Sequence, residues 1–291
     1  GCELGQLLAR YGTKVTIVEG ANRILHLEEP QASAAVQDAF AAEGIDVHAG
    51  SHARRVFEQE GNIMVRLEDG VELAAERLLV ATGRRVDLTD LGLESVGLDG
   101  SARAIPVDER MRAADGIWAM GDVTAKGMFT HVALYQSAVI AAEILGIDHP
   151  PANYEAIPRV TFTDPEIGAV GLTETQAVEA GLDVAVIDKQ LPATFRGWLH
   201  GAEYGVIKLV VDRQSGTLVG ATTAGPRGGD MLGLLSLAVH ARVPVAELRS
   251  MIYAFPSFYG GIGEAIGAYG RGLSTVIDPP YRDFELLDEI T

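Results

Sequence analysis

"GCELGQLLARYGTKVTIVEG" (Gly1–Gly20) opens the chain with a helix, a turn and a strand in quick succession. Leu4, Leu7 and Leu8 recur at helical spacing and share one face, which predicts a first helix. Tyr11-Gly12-Thr13 breaks it, and the β-branched run Val15-Thr16-Ile17-Val18 predicts a strand ending at Glu19. Helix then strand is the second half of a β-α-β nucleotide-binding unit. In such a unit the last glycine of G-x-G-x-x-G lets the helix pack closely on the strand. The pyrophosphate sits at the helix N-terminus, where free N–H groups and the dipole favour an anion. With Gly1 as that glycine, the first strand and the start of the loop are expected before Gly1. Glu19 then sits near the spacing of about 20 residues at which an acid binds a ribose hydroxyl. Taken alone, the stretch is equally readable as a plain helix–strand pair whose Glu19 only ends a strand.

Composition narrows the classes. A chain of 291 residues suits roughly two domains, and 47% hydrophobic content supplies a sizeable core. With 34 glycines this fits an α/β protein. Forty carboxylates against 23 bases give a net charge of −17, which argues against nucleic acid, since phosphate binding wants a basic face. The acidity reads as a solvated surface. No run reaches the roughly 18 apolar residues of a membrane span, and no charged-then-apolar leader opens the chain. Cys2 is the one cysteine, so there is no disulfide framework, as expected of a cytoplasmic protein. Its place at a helix N-terminus tends to lower a thiol pKa, although a lone cysteine on a packed helix is ordinarily inert. No His, Cys and carboxylate group has zinc-like spacing.

Beyond Glu19 the pattern predicts a helix over Pro30–Glu43 and a short strand at Ile45-Asp46-Val47. "RRVFEQEG" and "NIMVRLEDGVELAA" alternate and turn at Gly61 and Asp69-Gly70, which predicts hairpins. "ERLLVATGRR" (76–85) reads as a buried apolar strand running into a turn at Gly83. From Val86 to Asn153 the texture changes to loops, a short strand in "GIWAMGDV" and a long apolar helix over Ala133–Leu145. Pro150-Pro151 marks a boundary. Beyond it the strands "PRVTFT", "VAVIDKQL", "GVIKLVVD" and "LVGATTAG" surround helices near Glu174–Ala180 and Asp230–His240, an α+β pattern. The acidic end "DPPYRDFELLDEIT" (278–291) reads as a surface extension.

Four stretches, in order, resemble the FAD-dependent pyridine nucleotide-disulfide oxidoreductases, the family of dihydrolipoamide dehydrogenase, glutathione reductase and mercuric reductase. They are the Gly1-to-Glu19 unit, Ala81-Thr82-Gly83-Arg84-Arg85, Ile117-Trp118-Ala119-Met120-Gly121-Asp122, and "FTDPEIGAVGLTE" (Phe162–Glu174). The resemblance spans nearly the whole chain. It implies an α/β architecture: a partial Rossmann-like NAD(P)-binding domain (1–86), the end of an FAD-binding domain (87–153) and an α+β dimerisation domain (154–291).

The resemblance also implies roles. Gly1, Glu3 and Glu19 fall in the nicotinamide-nucleotide motif, and Thr82, Gly83 and Arg84 in the stretch that closes that domain. Gly121 and Asp122 match the second flavin motif, where a carboxylate accepts a hydrogen bond from a ribityl hydroxyl. Thr130, His131 and Ala133 open the following helix, whose N-terminal N–H groups can face the flavin's pyrimidine oxygens. His131 is read as a cap or packing residue rather than a catalyst. Arg84 and Arg85 meet cofactor phosphates or form surface ion pairs. A carboxylate at Glu19 favours NAD over NADP, because it pairs with ribose hydroxyls and repels a 2′-phosphate, with Arg23 four residues on as a softening charge.

One motif departs from the family. In "YAFPSFYGGIGEAIG" (253–267), Phe255 stands where the family places a general acid–base histidine and Gly260 where it places the orienting glutamate. A phenyl ring transfers no proton. Glu264 lies a helical turn too far, and Tyr253 or Tyr259 is a poor base, so no catalytic residue is assigned. The family's cysteine pair is expected upstream of Gly1. The reading is a homodimeric FAD- and NADH-dependent oxidoreductase with a disulfide, quinone or similar small-molecule acceptor. The rival reading is a catalytically incomplete fragment that serves only nucleotide binding and dimerisation.

Overall fold

The computed structural model describes residues 1–269; the acidic stretch 278–291 lies outside them. The chain divides into two compact units, one of residues 1–81 with 158 onward, the other of residues 82–157.

In the first unit, α1 (Cys2–Arg10) leads to β1 (Thr16–Glu19), then α2 (Pro30–Ala42) and β2 (Asp46–Ala49). β1 and β2 pair in parallel, Thr16 beside Asp46 and Glu19 beside Ala49. Parallel pairing needs a crossover, and α2 supplies it. The expected leucine face of α1 forms but is not its packing face: Leu4, Leu7 and Leu8 stay roughly half exposed, while Gly5 and Gln6 are buried. The helix seats on β1 through Gly5, where a Cβ would stand 3.3 Å from Ile17 Cδ1. Close approach needs the small residue, and the leucines point elsewhere. β3 (Ala53–Gln59), β4 (Asn62–Leu67) and β5 (Glu72–Ala75) form the expected antiparallel meander, turning at Glu60-Gly61 and Asp69-Gly70. The 76–85 stretch is a correction. It forms no strand and pairs with none, and Leu78, Leu79 and Val80 are exposed, because no described element covers them.

The second unit is built from turns around Leu88, Leu93, Ile105 and Ala119. It holds the short pair β6 (Arg112–Ala114) and β7 (Ile117–Trp118), a helical turn at Gly121–Thr124 and α3 (Thr130–Leu145). α3 begins one turn before the apolar run that announces it, and Gly146 closes it in the left-handed region.

The chain then returns to the first unit. β8 (Arg159–Thr161), β9 (Glu166–Gly171), α4 (Glu174–Glu179), β10 (Val184–Gln190), α5 (Phe195–His200), β11 (Val206–Asp212), β12 (Leu218–Gly225), α6 (Gly228–His240), α7 (Val245–Ser250) and α8 (Gly260–Tyr269) follow in sequence. The strands make one antiparallel sheet, ordered β10-β11-β12-β9-β8. α6 buries Met231, Leu232, Leu235, Ala238 and Val239 on one face; each buried leucine contributes about 1.5–3 kcal/mol.

Lys208, in the middle of β11, is 2% exposed. Its Nζ meets Glu29 Oε2 at 2.9 Å and Glu174 Oε2 at 2.7 Å, and Glu29 Oε1 accepts the Glu174 N–H. Arg159 forks onto both oxygens of Glu28. These ion pairs fasten the start of α2 to the sheet. Only one clue in sequence marks them, a lysine inside the apolar run "VIKLVVD".

Candidate functional site

At the carboxyl end of β1, Glu19 Oε1 accepts the Ala21 N–H at 2.8 Å, which fixes the carboxylate at the strand end. The imidazole of His52 covers Gly20 so closely that a Cβ there would lie 2.2 Å from its Cε1. Arg23 donates to the carbonyls of Leu25, His26 and Glu28 at 2.8–3.0 Å, so its guanidinium is committed to its own loop. Gly1 caps α1 and makes an ordinary contact with Ala81, and Gly5 makes the closer approach of α1 to β1. Glu3 Oε1 accepts the Phe162 N–H at 2.7 Å, and Gln6 and Arg10 bond Asp164, tying α1 to the chain around β8. Burial, with help from Glu19 and Glu3, raises the Cys2 thiol above its ordinary pKa, so the helix terminus does not activate it.

In the second unit the structure gathers most of the other expected residues. Gly83, with φ +104°, turns the chain after Thr82, and Arg84 reaches across to Asp122 Oδ2 at 3.0 Å and Met128 O at 2.7 Å. Arg84 thus pairs with Asp122, the carboxylate that the resemblance assigns to the second flavin motif. Gly121 adopts φ +77°, a conformation that favours glycine, and lies against Ala133 in the first turn of α3. Thr130 and His131 occupy the outermost positions of that turn, with the His131 ring stacked on Phe129 at 5.2 Å. The Ala133 N–H is bonded to Phe129 O, which leaves Ala133 its small side chain to contribute. Beneath them Gln136 and Thr124 form buried hydrogen bonds, extended by a partly buried one to Tyr154, that sequence reading missed.

A third group lies between α5 and α8. Phe255 is 72% exposed and packs on the Phe195 ring at 4.5 Å. The ring borders a cavity of about 490 Å³, shared with Arg196, Arg249, Tyr253 and Glu264. Glu264 accepts the Phe195 N–H at 3.3 Å and lies 3.7 Å from Lys189 Nζ, so its carboxylate is committed. Burial pushes the Tyr253 phenol above its ordinary range, so it stays protonated near neutral pH and offers no ready base. Among the described residues no cluster of three or more His, Cys or carboxylates could hold a metal ion, and no helix is long and apolar enough to cross a membrane.

Residues 1–137 match the family model for pyridine nucleotide-disulphide oxidoreductases, and residues 157–266 match the dimerisation domain of the same family. The chain belongs to the pyridine nucleotide-disulphide oxidoreductase family. It is 36% identical to a dihydrolipoyl dehydrogenase of Geobacillus stearothermophilus, over 88% of this chain and 56% of that protein. It is 34% identical to a mercuric reductase of Bacillus cereus, over 94% of this chain and 44% of that one. Among solved structures it resembles LpdA from Mycobacterium tuberculosis, with a TM-score of 0.83, 26% identity, and 92% and 59% of the two chains covered. The HOCl-induced flavoprotein disulfide reductase RclA from Escherichia coli superposes with a TM-score of 0.81 at 29% identity, covering 91% and 62%. The chain spans about half the length of the curated relatives it matches.

The residues present fit the cofactors of this oxidoreductase family. At the flavin motif a half-exposed carboxylate, a glycine surface without side chain and the start of a 16-residue helix lie together. At β1 a carboxylate sits at the strand's carboxyl end, the edge where doubly wound sheets bind nucleotides.

Proposed function

We propose that this chain forms the pyridine-nucleotide (1–86), second flavin-binding (87–153) and dimerisation (154–291) parts of an FAD-dependent oxidoreductase that draws electrons from NADH. It works as a cytoplasmic homodimer on a small-molecule acceptor. The observation that carries this reading is the convergence of Arg84, Gly121, Asp122 and Ala133 at the start of α3. FAD, when bound, supplies the hydride and electron chemistry, and the protein supplies position and electrostatics.

Asp122 would hold the cofactor's ribityl chain through its carboxylate, and the first turn of α3, which opens at Thr130 and His131, would turn its positive dipole end toward the flavin ring. Glu19 holds the adenosine ribose of NADH. Arg23 is held by three carbonyls of its own loop, which keeps it from a 2′-phosphate and supports NADH over NADPH. Phe255 and Gly260 supply no proton-transfer group, so a quinone-type acceptor is favoured over a disulfide.

The test is purification of the full-length protein. It should be yellow with bound FAD, lose its flavin absorbance when NADH is added without oxygen, and regain it with a quinone. A protein that binds no FAD, or whose flavin NADH leaves oxidised, overturns the reading.

A further inference from the structure

Beneath the Gly121–Thr124 turn lies a closed circuit of buried hydrogen bonds. Gln136, fully buried on α3, accepts the Gly121 N–H at 2.6 Å. Its amide nitrogen donates to Thr124 Oγ1 at 3.3 Å and to the Tyr154 hydroxyl at 3.1 Å. Thr124 in turn donates to Gly121 O at 2.9 Å, and Tyr154 to Met111 Sδ at 3.0 Å. Burial raises the Tyr154 phenol, so it stays protonated and able to donate. Both acceptors of the amide spend their own protons elsewhere, so a single orientation of the Gln136 amide satisfies every member.

Val132 and Val139 share the buried side of α3, and a residue needed only for packing there would be apolar like them. A fully buried amide is stable only when all its hydrogen bonds are made. Here those bonds converge on Gly121, held at its N–H by Gln136 and at its C=O by Thr124. The next residue is Asp122.

We propose that Gln136 is a positioning residue for Asp122: from inside the unit it fixes the turn whose carboxylate meets the flavin's ribityl chain. Gln136 acts through the Gly121 backbone and touches no cofactor. Without it the Gly121 N–H is left buried and unpaired, and the turn shifts to find another partner. The inference rests on the flavin reading of Asp122.

The experiment compares Gln136→Leu, Gln136→Glu, Asp122→Ala and the Gln136→Leu/Asp122→Ala double variant of the full-length protein. FAD dissociation constants are measured by titrating the apoprotein, alongside thermal unfolding. Gln136→Leu should weaken FAD by about tenfold or more, the scale at which supporting residues affect a bound group. Gln136→Glu keeps an acceptor for the Gly121 N–H but donates nothing unless its buried carboxyl holds a proton, so it should recover part of that loss, and more of it as pH is lowered. The double variant should bind no more weakly than Asp122→Ala, because the two residues act in series. Tyr154→Phe, which removes one of the amide's acceptors, gives a milder form of the test and should cost severalfold in affinity. Additive losses in the double variant, or a lowered melting temperature with unchanged FAD affinity, overturn the inference alone. Unchanged FAD affinity in Asp122→Ala overturns the flavin reading, and the inference with it.

Discussion

Arg84 and Asp122, 38 residues apart, form an ion pair at 3.0 Å, and the same guanidinium donates to Met128 O at 2.7 Å. One side chain thus ties the glycine turn after Thr82 to the flavin-motif carboxylate and to the approach to α3. The pair is solvent-exposed, with side-chain exposures of 63% and 42%. Exposed pairs contribute roughly 0–1 kcal/mol to stability. Arg84→Ala should therefore change the unfolding free energy by less than about 1 kcal/mol. It should weaken FAD binding distinctly more than it lowers stability, because Asp122 loses the partner that aims it. Denaturant titration beside FAD titration checks this, and equal effects on both would remove Arg84 from the site.

Glu19 is expected to set nucleotide choice. Glu19→Arg should raise KM for NADH and move the kcat/KM ratio toward NADPH by about 1–3 kcal/mol, the scale of a charged hydrogen bond. The loop geometry sharpens the expectation: Arg23 is bonded to three carbonyls of its own loop and makes no ion pair with Glu19 among the described contacts. Steady-state kinetics with both nucleotides decide it; an unaltered ratio would exclude Glu19.

Phe255 and Gly260 should limit disulfide reduction. In the full-length protein, Phe255→His with Gly260→Glu should raise turnover of a low-molecular-weight disulfide, if a redox cysteine pair is present. The gain should fall near the low end of the roughly 10²–10⁴-fold typical of general acid–base help. A Cβ at 260 would meet Ala254 O and Ser257 Oγ at 3.1 Å, so the new glutamate fits only after a small adjustment. Wild-type turnover already equal to that of the double variant would refute the expectation.

Lys208 should be costly to remove alone. Lys208→Met leaves Glu29, 2% exposed, as an unpaired buried charge, and should destabilise by about 3–5 kcal/mol. Lys208→Met with Glu29→Gln should lose clearly less, because the charge that needed a partner is gone. Chemical denaturation of both variants gives the comparison, and a double variant as unstable as the single would contradict it.

Acid stability should carry two opposite signs. Arg10's hydrogen bond holds the Glu43 carboxyl below its ordinary pKa, so this group stabilises the fold above its unfolded value near pH 4.3. That contribution is lost as pH falls through the folded value, and the stability gap between wild type and Glu43→Gln should close there. Burial raises the pKa of Asp188, so its ionised form opposes folding and protonation relieves it as pH falls. Asp188→Asn should therefore be the more stable protein near neutral pH and lose that advantage in acid. Unfolding curves across pH 3–8 test both signs, and parallel pH profiles for wild type and variants would contradict them.

Local chemistry made much of this protein legible from sequence. The α1–β1 succession, the Glu19 strand end, the turns at Gly61 and Gly70 and the helical run of α3 depend on residues a few positions apart, and their patterns survive in any context. The same holds for the ordering of the four motifs. Burial and partnership do not reduce to neighbours. Leu4, Leu7 and Leu8 carry a core-like pattern yet stay half exposed, because Gly5 seats the helix; Leu78–Val80 read as a buried strand yet lack a cover. Gln136 meets Gly121 across 15 residues, and Lys208 meets Glu29 across 179. A buried amide or ammonium is stable only beside the groups that satisfy it, and the tertiary structure alone brings those distant groups within hydrogen-bond reach.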